Sequence, residues 1–187
     1  MKFLSFLPVA TVILSLAAGS ALAQDEKANK QAEVRKVTST SLEKFYKADP
    51  KLKGEVAKAP GYAVFTTYGL SFIIGGAGGK GLAHDNKTKK DTFMDMAQAS
   101  AGFQAGIAES ETLIIFKSAE AMAQFVDKGW EAGGGGAMQA GAAGKSVGAA
   151  GGENAIADAS YFTLTKNGLQ AGVALAGTKY WKDKELN

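Results

Sequence analysis

The chain has 187 residues, a formal net charge of +3, one histidine and no cysteine. The charge is too small to indicate a nucleic-acid binder, and the absence of cysteine excludes disulfides, thiol nucleophiles and the cysteine that anchors a bacterial lipoprotein. A single histidine without cysteine also cannot supply the nitrogen and sulfur ligands of a zinc site.

The first 23 residues have the order of a cleavable signal peptide. Lys2 precedes an apolar stretch over residues 3–16, and Ala21-Leu22-Ala23 provides a small-residue cleavage site. The apolar stretch is shorter than the roughly 20 residues that span a bilayer. We therefore expect a mature chain of residues 24–187, periplasmic or secreted, whose length suits a single domain.

The mature chain begins with two predicted helices in a segment, residues 24–58, that holds nine basic against six acidic residues. Residues 26–46 are rich in Ala, Lys, Glu and Gln, and their apolar side chains recur at steps of three to five, which predicts an amphipathic helix. Asp49-Pro50 predicts the start of a second, short helix that Pro60-Gly61 ends. The apolar positions of the two helices are Val34, Val37, Leu42, Phe45, Tyr46, Leu52 and Val56.

After Gly61 the pattern changes to that of strands. Aromatic and β-branched residues dominate, and the glycine run over residues 75–81 indicates tight bending or close backbone approach. A polar turn over residues 84–91 separates two of the strands. Strand-like runs occupy residues 62–68, 71–74, 92–96, 99–108 and 112–116, which together predict an antiparallel meander.

The last third combines a helix, a small-residue segment and a hairpin. Ser118 is a typical N-cap, and apolar residues at three- and four-residue steps predict a helix from there to Trp130. Residues 133–152 are mostly glycine and alanine, which suits either closely covered strands or a loop. Asn167-Gly168 between two alternating runs predicts a hairpin over residues 161–175.

Two glycine motifs resemble nucleotide sites but fail in context. Gly76, Gly78 and Gly81 match the dinucleotide fingerprint, yet a polar turn follows where the motif requires a helix. Gly144-Lys145-Ser146 resembles the end of a phosphate-binding loop, but the residue five positions before Gly144, where the motif requires glycine, is Gln139. The sequence therefore predicts no nucleotide cofactor.

The polar turn carries the candidate catalytic groups His84, Asp85 and Asp91, with Asp95 nearby. A lone turn histidine is usually solvated, and acidic residues in a turn are common for reasons of turn geometry. Nothing in the pattern marks a working pair of carboxylates. We therefore predict no catalytic residues, no metal site and no enzyme.

Basic residues are clustered at the same turn and along the first helix. Those of the turn fit either a solvated turn or a contact with phosphate headgroups. Those of the helix leave open whether its apolar face docks on the sheet or the helix lies on a membrane. The clustered cations are Lys87, Lys89 and Lys90 in the turn and Lys27, Lys30, Arg35, Lys36, Lys44 and Lys47 in the helix.

Four segments, in this order, resemble the SYLF domain family: residues 58–65, 74–82, 101–107 and 161–177. The combination of the GGAGGKG run with the terminal GLQAGVALAG hairpin is more specific than either piece alone. The late Gly-Pro-Val-Gly segment of the family is replaced here by the Gly/Ala-rich run 141–148, and the tryptophan usual before the middle strands is missing.

The resemblance implies lipid binding, chiefly to anionic headgroups. Eukaryotic SYLF proteins are associated with phosphoinositide-rich membranes and with actin, so actin binding follows only by family analogy. An exported protein would not ordinarily meet cytoplasmic actin, which favours the lipid role.

Together these features predict an α+β fold: a strongly curved or barrel-like antiparallel sheet of about six to eight strands, covered by the N-terminal helices and one central helix. The expected function is non-enzymatic, peripheral binding of anionic phospholipid headgroups in the cell envelope. The alternative is a protein-interaction or envelope-structural module, in which residues 133–152 add strands or dock an envelope protein. The oligomeric state stays open. The predicted lipid-binding residues are Lys80, Lys87, Lys89, Lys90, Lys27, Lys30, Arg35 and Lys36.

Overall fold

A computed structural model of the chain describes residues 14–67, 77–98, 110–131, 158–165, 168–171 and 178–187. Its helices are α1 (Leu14–Ala48), α2 (Lys51–Lys58) and α3 (Ala119–Lys128). Its strands are β1 (Gly61–Thr66), β2 (Ala77–Asp85), β3 (Asp91–Gln98), β4 (Ser110–Phe116), β5 (Trp130–Glu131), β6 (Ala159–Thr165), β7 (Gly168–Ala171) and β8 (Thr178–Lys182).

The eight strands form one curled antiparallel sheet with the order β5-β8-β3-β2-β1-β4-β6-β7. β1, β2 and β3 are consecutive neighbours, joined through the register Val64↔Leu82 and Leu82↔Phe93. β4 pairs with the other side of β1, and β8 returns to pair with β3. The α+β class and the curved antiparallel sheet are confirmed.

The helices cover opposite faces of the sheet, because successive side chains of a strand point to opposite sides. Phe65 and its neighbours on the same face pack against Met122 and Phe125 of α3. Val64 and Leu113 face the other way, where they pack with residues of α1 and α2. The sheet is therefore the middle layer of three.

The α3 face is dominated by aromatic residues. The Phe65 and Tyr180 rings lie 4.5 Å apart, and Trp130 stacks on Tyr180 at 5.8 Å. The hydroxyl groups of Tyr161 and Tyr180 share a hydrogen bond. Burial raises the pKa of Tyr161 to about 12, so this hydroxyl stays protonated and neutral at physiological pH.

Helix α1 docks on the sheet, which answers the question that the sequence left open. Val34 and Phe45 are buried, as the spacing predicts, and so are Thr38 and Ser41 on the same stripe. Thr38 fits this apolar position because its hydroxyl donates to the Val34 carbonyl oxygen, 2.7 Å away, within its own helix.

Several boundaries differ from the sequence prediction. Helix α1 begins at Leu14, inside the segment predicted as a signal peptide, and the cleavage itself stays a prediction. Helix α3 ends at Lys128 and not at Trp130, because Gly129 adopts φ +71°, and Trp130 instead begins β5.

The hairpin of β6 and β7 is confirmed, with Thr165 paired to Gly168. Lys166 and Asn167 between them lie outside the described residues, as do the predicted strands 71–74 and 99–108 and the Gly/Ala-rich segment 133–152.

The glycines of β2 allow the close backbone approach that the sequence predicts. A Cβ atom on Gly81 would lie 2.1 Å from the carbonyl oxygen of Val64 on the adjacent strand and 2.5 Å from the ring of Phe65. A Cβ on Gly79 would lie 2.5 Å from the carbonyl oxygen of Thr66. No larger residue fits either position without movement of the backbone.

The cap of α3 gives a first testable result. The Ser118 hydroxyl accepts a hydrogen bond from the Ala121 N–H at 3.2 Å. Ser118→Ala is expected to lower the free energy of unfolding by about 1 kcal/mol, measured by urea denaturation, because that N–H loses its acceptor. Ser118→Asp keeps an acceptor and is expected to retain most of the stability. Equal losses in both variants would contradict a capping role.

Candidate functional site

A cleft of about 650 Å³ lies between the N-terminal half of α1 and the edge of the sheet formed by β2, β3 and β8. Lys30, Glu33 and Val34 line it from the helix side, and residues 181–186 line its far wall. The volume falls in the range of about 300–1,000 Å³ that is typical of ligand pockets.

Lys80 lies in this cleft between two carboxylates. Its Nζ donates to Asp95 Oδ1 at 2.7 Å and to Asp183 Oδ2 at 2.6 Å. Asp95 is the direct register partner of Lys80 on β3, which places both side chains on the α1 face. Asp183 follows β8, so three separate strands bring the cluster together.

The three charges shift one another's pKa. Burial tends to lower the pKa of Lys80, but the hydrogen bonds to Asp183 and Asp95 outweigh it and raise that pKa. Burial also tends to raise the pKa of Asp183, which Lys80 and the backbone N–H groups of Leu186 and Glu185 overcome, so its net shift is downward. The pKa of Asp95 is raised, first by burial and further by the charges of Asp183 and Glu185, which together outweigh Lys80.

A C-terminal turn holds Asp183 in place and closes the cleft against α1. Asp183 Oδ1 accepts the N–H groups of Glu185 and Leu186 at 2.8 and 3.0 Å. Asn187 exchanges hydrogen bonds with the Phe93 backbone, and the side chain of Leu186 is buried beside Val34 and Phe93.

Helix α1 bonds directly to this turn. Lys27 Nζ donates to the Asn187 carbonyl oxygen at 2.8 Å, and Gln31 Nε2 donates to the Leu186 carbonyl oxygen at 2.6 Å. The cleft therefore has walls contributed by both ends of the described chain.

A second charged feature, which we call the basic turn, consists of residues 86–90 between β2 and β3. Asp85 Oδ1 accepts the N–H groups of Lys87 and Thr88, both at 2.8 Å, and the Asp85 carbonyl oxygen accepts that of Lys89. The Asn86 amide donates to the Val56 and Ala59 carbonyl oxygens at the end of α2. The turn is thus held to the helical layer by its own polar residues.

The lysines of the basic turn point into solvent. Lys87, Lys89 and Lys90 are all exposed, and none of them forms an ion pair with any residue that the structure describes. Lys89 adopts φ +59°, a left-handed conformation that favours Gly or Asn.

Arg35 joins α1 to the base of the basic turn. Its Nε donates to Asp91 Oδ2 at 2.8 Å, and its guanidinium lies 4.8 Å from the centroid of the Phe93 ring. His84 Nδ1 lies 2.7 Å from the other oxygen of Asp91. Burial tends to raise the pKa of Asp91, but the hydrogen bonds from His84 and Arg35 prevail and hold that pKa below its usual value.

The predicted lipid-binding residues thus divide among different surroundings. The three lysines of the basic turn share one exposed surface, with Arg35 at its base. Lys80 lies in the cleft in ion pairs, Lys30 lines the same cleft while paired with Glu26, and Lys36 is exposed on α1. Lipid contact by any of these residues stays a prediction.

The candidate catalytic carboxylates are not brought together. Asp85 caps the turn, Asp91 binds Arg35 and His84, and Asp95 binds Lys80. Across the described segments no group of three or more His, Cys, Asp or Glu side chains is placed to hold a metal ion, and no helix there is long and apolar enough to span a membrane.

Sequence reasoning missed three residues of these surroundings. Asp183 and Trp181 come from the last strand and turn, where the Asp-x-Glu-Leu-Asn ending offered an Asx-type turn as the available signal. Glu111 is 2% exposed and accepts Lys44 Nζ at 2.5 Å. Those two side chains meet only because β4 packs against α1.

Residues 97–187 match the protein-family model described as "Ysc84: Las17-binding protein actin regulator". Beta cell expansion factor A of Aeromonas veronii is 32% identical over 161 residues, which are 82% of this chain and 57% of that protein. SH3 domain-containing YSC84-like protein 1 of Rattus norvegicus is 30% identical over 138 residues, 71% of this chain and 40% of that protein.

LAS seventeen-binding protein 3 of Saccharomyces cerevisiae is 30% identical over 147 residues, 75% of this chain and 32% of that protein. The chain therefore spans between about a third and three fifths of the length of the curated relatives it matches. The residues that match the family model include Trp181 and the C-terminal turn of the cleft.

Proposed function

The chain belongs to the Ysc84 (SYLF) family, and we propose that it is a non-enzymatic domain that binds anionic phospholipid headgroups at a membrane surface. The observation that carries this proposal is the basic turn, with three exposed lysines on a fixed loop. Its two flanking carboxylates are already engaged, Asp85 by backbone N–H groups and Asp91 by Arg35 and His84. The positive charge of the lysines is thus left for an outside partner.

The rigidity of the turn supports this proposal. The backbone hydrogen bonds to Asp85 and the anchoring of Asn86 on α2 fix the loop before it meets a membrane, so little loop entropy is lost on binding. Each lysine near an anionic surface contributes about 1 kcal/mol. The proposed setting is the periplasm or the cell exterior, reached through the predicted signal peptide.

The lysines of the basic turn can be tested together. We expect Lys87→Gln/Lys89→Asn/Lys90→Gln to weaken co-sedimentation of residues 24–187 with phosphatidylglycerol vesicles by about 100-fold, since about 3 kcal/mol of attraction is removed. Asn suits the left-handed backbone of position 89. Raising the salt concentration should weaken vesicle binding of the parent protein more than that of the variant.

A control variant removes two exposed lysines on the opposite side of the sheet and is compared with Lys87→Gln/Lys90→Gln, which removes two from the turn. Lys117→Gln/Lys128→Gln removes two exposed lysines next to and within α3 and should leave vesicle binding within a factor of about three. Equal loss in both variants would mean that net charge and not the turn is responsible. Undiminished binding of the turn variant at low salt would contradict the proposal.

A second candidate function is protein binding, which the family description favours because it names a Las17-binding actin regulator. It predicts indifference to lipid charge and pull-down of an envelope protein. Failure of phosphatidylglycerol vesicles to bind the parent protein, with capture of a defined partner, would favour this candidate. Actin itself is proposed only through the family and is checked by co-sedimentation with filaments.

A further inference from the structure

The charges in the cleft beside α1 are distributed unevenly between its floor and its rim. Its lining holds four lysines and four carboxylates, so it is neutral as a whole. At its floor, however, two carboxylates, Asp95 and Asp183, share the single ammonium group of Lys80. The floor therefore carries one negative charge more than it can neutralise.

One oxygen atom at the floor has no donor. Lys80 occupies Asp95 Oδ1, and no described residue donates a hydrogen bond to Asp95 Oδ2. The side chain of Asp95 is 21% exposed, so this oxygen is open to solvent and to a ligand that enters the cleft. Burial is the main cause of the raised pKa of Asp95, and the nearby charges of Asp183 and Glu185 add to it.

An aromatic wall lies beside this oxygen. Trp181 is the register partner of Asp95 on β8, is half-buried, and lines the cleft. An indole face is the aromatic surface that attracts a cation most strongly. A carboxylate acceptor next to an indole suits a ligand ammonium group.

The C-terminal turn places an unpaired lysine at the rim. Lys184 lines the cleft, is exposed, and forms no ion pair with any described residue, whereas Lys182 pairs with Met94 and so directs its side chain to the α3 face. Lys184 can donate to the oxygens of a phosphate that lies above the floor. Two exposed carboxylates, Glu33 and Glu185, also line the rim.

From this arrangement we propose that the cleft binds a phosphoethanolamine headgroup. Its ammonium enters first and donates to Asp95 Oδ2 beside Trp181, and its phosphate stays at the rim with Lys184. A phospholipid presents its ethanolamine ammonium distal to the phosphate, so a headgroup entering from a membrane has this order. The site is distinct from the basic turn and depends on the proposed function only for the membrane as the source of the headgroup.

The site can be tested with a soluble probe that needs no membrane. Phosphoethanolamine is titrated into the protein while the tryptophan fluorescence, to which Trp130 and Trp181 both contribute, and the heat of binding are followed. We expect saturable binding, at least tenfold weaker binding of phosphocholine, whose quaternary ammonium cannot donate a hydrogen bond, and no fluorescence response to inorganic phosphate.

Three variants test whether phosphoethanolamine binds in the cleft. Asp95→Asn should weaken the binding of phosphoethanolamine at least tenfold. Trp181→Leu should also weaken this binding, while the Lys80 cluster stays intact. Glu120→Gln, an exposed site on α3 across the sheet, is the control and should bind as the parent does. Thermal unfolding of each variant checks that the fold is kept. Unchanged affinity in Trp181→Leu, or equal affinity for phosphocholine, would overturn the proposal.

Experiments with vesicles then distinguish the cleft from the basic turn, and a lipid headgroup from free phosphoethanolamine. In the triple variant of the basic turn, soluble phosphoethanolamine should bind as in the parent, and phosphatidylethanolamine added to phosphatidylglycerol vesicles should restore part of the lost vesicle binding. Restoration that also occurs with phosphatidylcholine would overturn the headgroup assignment. Binding of the soluble probe without restoration would make the free compound, and not the lipid, the ligand. If the parent protein fails to bind phosphatidylglycerol vesicles but still binds soluble phosphoethanolamine, only the proposed function is contradicted.

Discussion

The Gly81→Ala variant is expected to lose about 3 kcal/mol or more of its free energy of unfolding. A Cβ atom at this position would meet the Val64 carbonyl oxygen at 2.1 Å and the Phe65 ring at 2.5 Å. The oxygen belongs to the neighbouring strand of the same ladder, so it cannot rotate away as a side chain would. Relief requires β1 and β2 to separate, which weakens the register that also positions Lys80.

Gly54 provides the matched control within the same chain. It lies in the short helix α2, and an added Cβ there would meet nothing within 4 Å. Gly54→Ala should therefore stabilise the protein by about 1 kcal/mol, since alanine favours the helix. Urea unfolding of both variants decides the matter, and a Gly81→Ala protein as stable as its parent would mean that the strands are further apart than described.

The second large effect is expected from Lys80→Met. Among the described residues, Lys80 is the one cation between Asp95 and Asp183, whose side chains are 21% and 4% exposed, and this substitution removes it. Two neighbouring carboxylates are then left partly buried without a counter-charge, and we expect about 3 kcal/mol of stability to be lost at pH 7.

The loss should depend on pH in a defined direction. In the parent, the lowered pKa of Asp183 gives stability that is present at neutral pH and disappears as the pH falls through that pKa, while the raised pKa of Asp95 acts in the opposite sense. Without Lys80 both pKa values rise, so protonation relieves the repulsion. The deficit should be largest at pH 7 and smaller at pH 5.

A double variant checks this explanation. Lys80→Met/Asp95→Asn carries one carboxylate instead of two at this point and should recover part of the stability lost by Lys80→Met at pH 7. A deficit that is the same at pH 7 and pH 5, and that the second substitution leaves unchanged, would show that packing of the lysine stem and not charge is responsible.

Local signals predicted much of the fold because they act over short distances. The spacing of Val34 and Phe45 identified the buried stripe of α1, and Ser118 marked the start of α3. The strand-like run over residues 92–96 predicted β3, and Gly79 and Gly81 show the close backbone approach that was one of the two interpretations of the glycine run. Each of these depends on neighbours along the chain.

The cleft could not be predicted, because its residues meet only through tertiary pairing. Lys80 and Asp183 are 103 positions apart and become neighbours because β8 pairs with β3. The family resemblance grouped Lys80 with the lysines of the basic turn and the first helix, whereas the register gives it two carboxylate partners. The end of α3 was also set too late, since Gly129 was not recognised as the residue that ends the helix.

The bonds between α1 and the C-terminal turn have a consequence for the time course of folding. Lys27 meets Asn187 across 160 residues and Gln31 meets Leu186 across 155. A ribosome releases α1 long before it has made the turn that receives the helix, so the stripe of Val34 and Phe45 lacks part of its partner surface throughout synthesis. The part of α1 around Val34 therefore completes its packing only when Leu186 has been made, whereas Phe45 can already pack against Val64 and Leu113.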